Sequence, residues 1–108
     1  MAEAMTDLWL RLYTSEKQKH AGKPLYEWLL ETARNLGIAG GTAFRASAGF
    51  GRHGFKEESF FELAGELPML VEFIADAAQI DSLLDHCAQE NLRLFYTRTP
   101  VNHGITGL

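Results

Sequence analysis

The chain has 108 residues, of which 46% are apolar and 22% charged, and its formal net charge is −4. That length fits one domain with a modest core, and the composition is that of an ordinary soluble globular protein. A negative chain is a poor candidate for sequence-independent nucleic-acid binding, which depends on neutralising phosphates.

Several other classes are excluded by what the sequence lacks. Cys87 is the only cysteine, so there is neither an internal disulfide framework nor a cysteine metal knuckle. No apolar run approaches the roughly 20 residues that span a bilayer, and residues 1–5 do not resemble a signal peptide. We therefore expect one cytoplasmic domain over residues 1–108, without membrane insertion or a nucleic-acid partner, and with 1–5 and 101–108 as mobile tails.

The first half of the chain predicts a strand, a helix and a second strand. Alternation of leucine with other residues from Leu8 to Tyr13 is typical of a half-buried strand. Pro24 suits the first turn of a helix, and the apolar residues that follow it have helical spacing until Gly37, a suitable C-terminal cap. Between them, residues 15–23 are polar and are predicted to be a connection. After Gly40-Gly41, residues 42–48 are predicted to form the second strand.

The second half repeats this order after a long loop. Residues 59–63 are a candidate for a short extended piece, and Leu67-Pro68 opens a third strand that runs to Ile74. Asp76 is placed to cap a second helix, with Gln79 as its capping-box partner. Residues 92–99 are predicted to form the last strand, which Pro100 ends.

The predicted element order is that of an α+β, ferredoxin-like βαββαβ fold. Such a fold has a four-stranded antiparallel sheet with two helices on one face. The other face would also carry large apolar side chains, which are Trp9, Tyr13, Leu70, and Ile74 or Phe95. Because exposed apolar area of that size usually marks an interface, we expect the protein to associate with itself.

The loop after the second strand carries the strongest chemical signal. It is far longer than a hairpin needs, and its first six residues are Gly49, Phe50, Gly51, Arg52, His53 and Gly54. Glycines allow a close approach of the backbone, successive N–H groups in a turn can bind an anion, and a guanidinium adds charge-assisted hydrogen bonds. The alternative is a flexible loop whose glycines only permit a bend.

These motifs resemble those of the PII signal-transduction proteins. The resemblance rests on the segment from Gly37 to Thr42, on the glycine loop and on Leu67-Pro68 at the start of a strand. It is closer to the PII-like domain of unknown function 190, through Gly-Lys-Pro-Leu-Tyr-Glu at 22–27 and Ala-Gly-Phe-Gly at 48–51. This resemblance covers about 8–99 and implies a homotrimer with its sheets facing the threefold axis.

The same resemblance implies a regulatory protein and a set of ligand-binding residues. The implied ligand is a small anionic effector, with an adenine nucleotide as the candidate, in the cleft between subunits. Gly41 and Thr42 would lie near the base, and Gly49, Gly51 and Arg52 near the phosphates. His53 has the position of the PII glutamine that helps to bind a metal and 2-oxoglutarate, and the implied set is completed by Phe50 and Gly54 in the loop and Arg98 on the final strand. The 50–61 loop would signal to a partner, for which a membrane transport protein is the candidate. Where PII proteins have a glycine- and lysine-rich phosphate loop, this chain has Gln89-Glu90-Asn91-Leu92.

Two further functions stay open at this point. One is a metal-binding or small enzymatic trimer that uses His53 and the loop carboxylates, and the other is a structural trimer without a ligand. No two histidines have a spacing that indicates a metal site within one subunit, and no serine lies in a nucleophile motif. We therefore expect neither an enzyme nor a metal centre within a subunit.

Overall fold

The computed structural model describes residues 5–49 and 67–108. Within these residues the strands are β1 (Met5–Ser15), β2 (Lys19–His20), β3 (Lys23–Pro24), β4 (Gly41–Arg45), β5 (Pro68–Ala75) and β6 (Tyr96–His103). The helices are α1 (Leu25–Asn35) and α2 (Ala77–Gln89).

The four long strands form one antiparallel sheet in the order β4-β5-β1-β6. Strands β2 and β3 form a separate small hairpin within the predicted connection. With two helices against the sheet, this is the predicted α+β, ferredoxin-like arrangement, and the fold prediction is confirmed.

Both helices pack against the same face of the sheet and close a single core. The apolar face of each helix packs against the inward-facing side chains of the two central strands, β1 and β5. These faces follow from the 3.6-residue period of a helix and the two-residue period of a strand. The core residues with no exposed surface are Leu10, Leu25, Leu29, Val71, Ile80 and Leu83.

The predicted helix boundaries are confirmed by the local geometry. Gly37 has φ +87°, a left-handed conformation that suits glycine just after a helix. At the start of α2, the Asp76 carboxylate accepts a hydrogen bond from the Gln79 backbone N–H at 2.8 Å. The Gln79 side chain accepts from the Asp76 N–H at 3.3 Å and donates to the Gly37 carbonyl at 2.9 Å. The capping box therefore also joins the two helices.

Strand β6 differs from its prediction. It covers Tyr96–His103 rather than 92–99, and Pro100 lies inside it instead of ending it. Because β6 is an edge strand, a residue without an N–H is tolerated there. Residues 101–103, assigned above to a tail, pair with β1, where Thr6 Oγ1 donates to Asn102 Oδ1 at 2.7 Å. Met5 pairs with His103 in the same ladder.

Smaller differences affect the second strand and the long loop. Strand β4 ends at Arg45, three residues before the predicted boundary at Ala48. Pairing continues past the strand through one hydrogen bond, from the Ala46 N–H to the Pro68 carbonyl at 2.9 Å. The extended piece predicted at residues 59–63 lies outside the described residues.

Candidate ligand site

The structure describes four of the nine residues predicted to bind the ligand. Gly41, Thr42 and Gly49 lie on or just after β4, and Arg98 lies on β6. The other five lie outside the described residues; these are Phe50, Gly51, Arg52, His53 and Gly54.

Gly41 lets β4 approach the core closely. A Cβ atom at this position would overlap the Phe73 ring and lie 3.1 Å from Leu30 Cδ2. Phe73 is buried, so a larger residue here would force its ring or β4 to shift. The structure thus gives Gly41 a packing role that is independent of any ligand.

Two shallow depressions meet at Gly41. The first has a volume of about 360 Å³ and is lined by Gly40, Gly41, Thr42, Glu72, Phe73 and Ile74. The second has a volume of about 260 Å³ and lies between β4 and the end of α1, where Arg34 borders it. Gly40, Gly41 and Phe73 border both, so the two depressions adjoin at the start of β4, and we call them together the groove at β4. Two of the predicted site residues, Gly41 and Thr42, are therefore together on this groove.

Arg98 lies at the opposite edge of the sheet. Gly41 pairs with Phe73, Phe73 with Leu10, and Leu10 with Arg98, so the first and last of these share one row across the four strands. Three strand spacings separate them, which is about 14 Å. Within one subunit the structure does not bring Arg98 to Gly41 and Thr42.

Arg98 is held by helix α2. Its Nη1 donates to Asp81 Oδ1 at 2.6 Å, and this hydrogen bond raises the pKa of the guanidinium above its ordinary value. Arg98 therefore stays charged, on the helix-covered side of the sheet edge, where an anion could compete with Asp81.

Gly49 and Pro68, on either side of residues 50–66, lie side by side. A Cβ on Gly49 would be 3.1 Å from Pro68 Cγ. The Glu16 N–H donates to the Leu67 carbonyl at 3.1 Å, and Arg45 Nε donates to Glu16 Oε2 at 2.8 Å. These contacts tie β1, β4 and β5 together at the base of the loop. The Arg45–Glu16 ion pair was not foreseen, since no sequence spacing links residues on different strands.

The described histidines do not converge on a metal site. His20 contacts Glu90 at 2.9 Å, His86 contacts the Ser82 carbonyl at 2.9 Å, and His103 contacts Asp7 at 2.7 Å. Among residues 5–49 and 67–108, no group of three or more histidine, cysteine or acidic side chains is arranged to hold a metal ion. His53 and the loop carboxylates lie outside those ranges. No helix in the same ranges is long and apolar enough to cross a membrane.

Solved structures of PII-like proteins share this form of the ferredoxin-like fold. A protein from Thermus thermophilus, described as a PII-like signalling protein, superposes with a TM-score of 0.63 at 14% identity, covering 94% of this chain and 93% of that one. The nitrogen regulatory PII-like protein CPII from Thiomonas intermedia, in a structure bound to ADP, AMP and bicarbonate, superposes with a TM-score of 0.61 at 16% identity, covering 95% and 98%. At such identities the likeness shows the fold.

Sequence comparison identifies the family. The profile of domain of unknown function 190, described as an uncharacterized ACR, matches residues 8–102. A UPF0166 protein from Aquifex aeolicus is 40% identical over 77 residues, which are 70% of this chain and 73% of that protein. A UPF0166 protein from Methanocaldococcus jannaschii is 28% identical over 75 residues, 69% of each chain. The chain belongs to the domain of unknown function 190 family, which confirms the resemblance.

Proposed function

We propose that this chain is a regulatory protein that forms a homotrimer and binds an adenine nucleotide in the cleft between subunits. Binding would order the 50–61 loop and change its fit to a partner, for which a membrane transport protein is the candidate. The proposal places the protein in the cytoplasm and gives it no catalytic activity. The related structures are described as PII-like and signalling or nitrogen regulatory, which supports a regulatory role.

The observation that carries the proposal is the division of the predicted site between two edges of one sheet. Gly41 and Arg98 occupy the same row, about 14 Å apart, with β5 and β1 between them. No movement within a folded sheet could join them. A head-to-tail ring would place the β4 edge of one subunit beside the β6 edge of the next, and the groove would then receive Arg98 from its neighbour.

The chemistry of the two edges suits a nucleotide. The groove at β4 is partly apolar and has exposed backbone at Gly40 and Gly41. The flat adenine base of a nucleotide could pack against such a surface. The β6 edge supplies a charged guanidinium for a phosphate. The related CPII structure is bound to ADP and AMP, which makes these two nucleotides the first ligands to test.

Contacts at the two ends of the loop would pass a change in the loop to the sheet. Gly49 and Pro68 are neighbours, and the Arg45–Glu16 ion pair fixes β4 to the end of β1. A ligand that contacts Gly49 to Gly54 would therefore act on a segment anchored at both ends to the central sheet. The size of the switch equals the difference in ligand affinity between the ordered and the unordered loop.

Thermal denaturation with ADP, AMP, ATP and cyclic AMP tests the proposal. At about 100 times its Kd, a ligand should stabilise the protein by about 2.7 kcal/mol. We expect Arg98→Ala and Arg52→Ala to remove most of this shift. Asp81→Ala is the matched control, because it breaks the Arg98–Asp81 ion pair but leaves the guanidinium in place. That variant should bind at least as tightly as the wild type.

Other outcomes would redirect the assignment. A shift produced by divalent metals and reversed by a chelator would favour the metal-binding or enzymatic trimer at His53. Stability that responds to neither nucleotides nor metals would favour a structural trimer. Equal loss of nucleotide binding in Asp81→Ala and Arg98→Ala would mean that the ion pair, and not Arg98 itself, supports the site.

A further inference from the structure

The second depression at the start of β4 differs in its lining from the first. Thr42, which is proposed to lie near the base of the nucleotide, lines the first depression but not the second, whereas Arg34 lines the second but not the first. The second depression has a volume of about 260 Å³ and lies between the end of α1 and β4. That volume is just below the range of about 300–1,000 Å³ for drug-sized ligands, so it suits a smaller molecule. We call it the α1 depression.

Apolar groups make up most of the lining of the α1 depression. The side chains are those of Leu30 and Ala33 on α1, Ile38 and Ala39 after the helix, and Phe73 on β5. Ile38 and Phe73 are almost completely buried, which fixes this part of the lining in the core of the subunit. Such a surface binds the apolar part of a small ligand, because apolar area is removed from water on binding.

Among the described residues, Arg34 supplies the one charged side chain on this lining. It lies in the last turn of α1, where a positive charge also interacts favourably with the helix dipole. The backbone at this helix end is already paired, since the Gly37 N–H donates to the Arg34 carbonyl at 3.0 Å. The Arg34 guanidinium forms no ion pair with the described part of the chain, so its N–H donors remain available to an anion.

Two backbone donors border the same depression. Ala39 and Gly40 lie between α1 and β4, and neither backbone N–H donates a hydrogen bond to a described residue. Backbone N–H groups and a guanidinium are the donors that proteins commonly offer to carboxylates and other anions. The α1 depression therefore combines an apolar lining with donors for one anionic group.

We propose that the α1 depression binds a small carboxylate with an apolar ring or chain, and that Arg34 donates hydrogen bonds to its carboxylate group. Charge complementarity selects this ligand, because one guanidinium balances one negative charge and can hold a planar carboxylate through two N–H groups. A phosphate monoester carries close to two negative charges at neutral pH, and the second would remain unbalanced beside the negative end of the α1 dipole. This ligand is distinct from the proposed nucleotide and does not depend on it.

Titration with phenylacetate, followed by the backbone amide signals in two-dimensional NMR, tests the site. We expect a Kd of about 1 mM for a ligand of this size, with the largest signal shifts at Ala39 and Gly40. Arg34→Met keeps an unbranched side chain but removes the charge, and should weaken binding about 10-fold or more because charge-assisted hydrogen bonds are lost. Phenylacetamide, which has the same shape without the charge, should bind equally weakly to the wild type and to Arg34→Met.

Matched controls separate this site from a general effect of charge. Arg93→Met removes an exposed arginine that lines neither depression, and it should bind phenylacetate like the wild type. Acetate has the charge without the ring and should bind more weakly than phenylacetate, because it cannot use the apolar lining. Circular dichroism of each variant confirms that it is folded.

Several results would overturn the proposal. Equal binding of phenylacetate by the wild type and Arg34→Met would remove Arg34 from the site, and amide shifts confined to other parts of the chain would place the ligand elsewhere. Absence of binding at about ten times the expected Kd would exclude the site, and tighter binding of phenyl phosphate than of phenylacetate would contradict the ligand class. Nucleotides are absent throughout, so a failure here leaves the proposed nucleotide site unaffected.

Discussion

At the scale of single residues, Gly41 is the position where the backbone tolerates least change. We predict that Gly41→Ala lowers the free energy of unfolding by about 1–3 kcal/mol, because the added methyl group meets the buried Phe73 ring. The adjacent Gly40 is the matched control, since a Cβ there would meet nothing within 4 Å. Urea denaturation of both variants measures the difference. Equal stability of the two variants would show that β4 can move away from Phe73 at little cost.

Cys87 gives the fold a dependence on alkaline pH. Burial raises the pKa of its thiol from 9.0 to about 11, so the folded state keeps the proton over a range in which the unfolded chain has lost it. A raised acid pKa contributes stability that is complete below the unfolded pKa and is lost as pH rises toward the folded value.

The expected loss is up to about 1.4 kcal/mol per pH unit between pH 9 and 11. Cys87→Ala removes this titration while leaving every other alkaline group in place. Its stability should therefore approach that of the wild type as pH rises through that range. A constant difference between the two proteins from pH 8 to 11 would show that the thiol titrates alike in the folded and unfolded states.

At the scale of secondary structure, the Asp76–Gln79 capping box links the ends of two helices. Asp76→Ala removes one acceptor for the orphan N–H groups of α2 and should cost about 1 kcal/mol. Gln79→Ala should cost more, because it also removes the donor to the Gly37 carbonyl. Asp85→Ala, the same change at an exposed position of α2, should alter stability by less than about 0.5 kcal/mol. Chemical denaturation ranks the three variants, and an equal cost for Asp76→Ala and Asp85→Ala would contradict the capping role.

Local signals explain why most of the fold could be predicted. The helix end at Gly37 depends on the preference of glycine for positive φ, and the helix start at Asp76 depends on a hydrogen bond within four residues. Both signals can be recognised in a short stretch of sequence. Strand β6 was misplaced because Leu92 and Leu94 pack against the core in irregular backbone, so their alternation resembled a strand. Pro100 was predicted to end the strand, but an edge strand tolerates a residue without an N–H. Whether a strand lies at an edge depends on the whole sheet and cannot be seen in the local sequence.

The candidate site was predictable only in part for the same reason. Gly41 and Thr42 came from a resemblance of local motifs, and as consecutive residues they both line the depression at the start of β4. The distance from Gly41 to Arg98 depends on strand order, which a local sequence motif does not determine. The unpaired Arg11 Nε and Thr97 Oγ1 likewise appear only once register places them face to face.

At the scale of the whole molecule, the described residues form a buried core, but two features of the sheet surface lack partners. The helices and sheet bury an apolar cluster, whereas Arg11 Nε and Thr97 Oγ1 have no hydrogen-bond partner among the residues described, and the groove at β4 lies at an edge of the sheet. Both features lie on or beside sheet surfaces that a neighbouring copy would cover in the proposed homotrimer. By our proposal, stability therefore depends on the single subunit, and ligand binding on the assembly.

Replacing the loop tests this separation of stability from function. We predict that exchanging residues 50–66 for Gly-Ser-Gly-Ser leaves the free energy of unfolding unchanged or raises it by about 1 kcal/mol, since a shorter loop costs less entropy to close. The exchange is feasible because Gly49 and Pro68 already lie close together. Sedimentation should show the wild-type oligomer, while the nucleotide-dependent change in partner binding should disappear.

A second protein with residues 50–66 in scrambled order controls for loop length. It should match the wild type in stability and oligomeric state but, like the short-loop protein, lack nucleotide-dependent partner binding. A loss of more than about 2 kcal/mol in the short-loop protein would be too large for an exposed loop and would place residues 50–66 within the folded structure. Retention of nucleotide-dependent partner binding by the short-loop protein would instead move the signalling surface to the described part of the subunit.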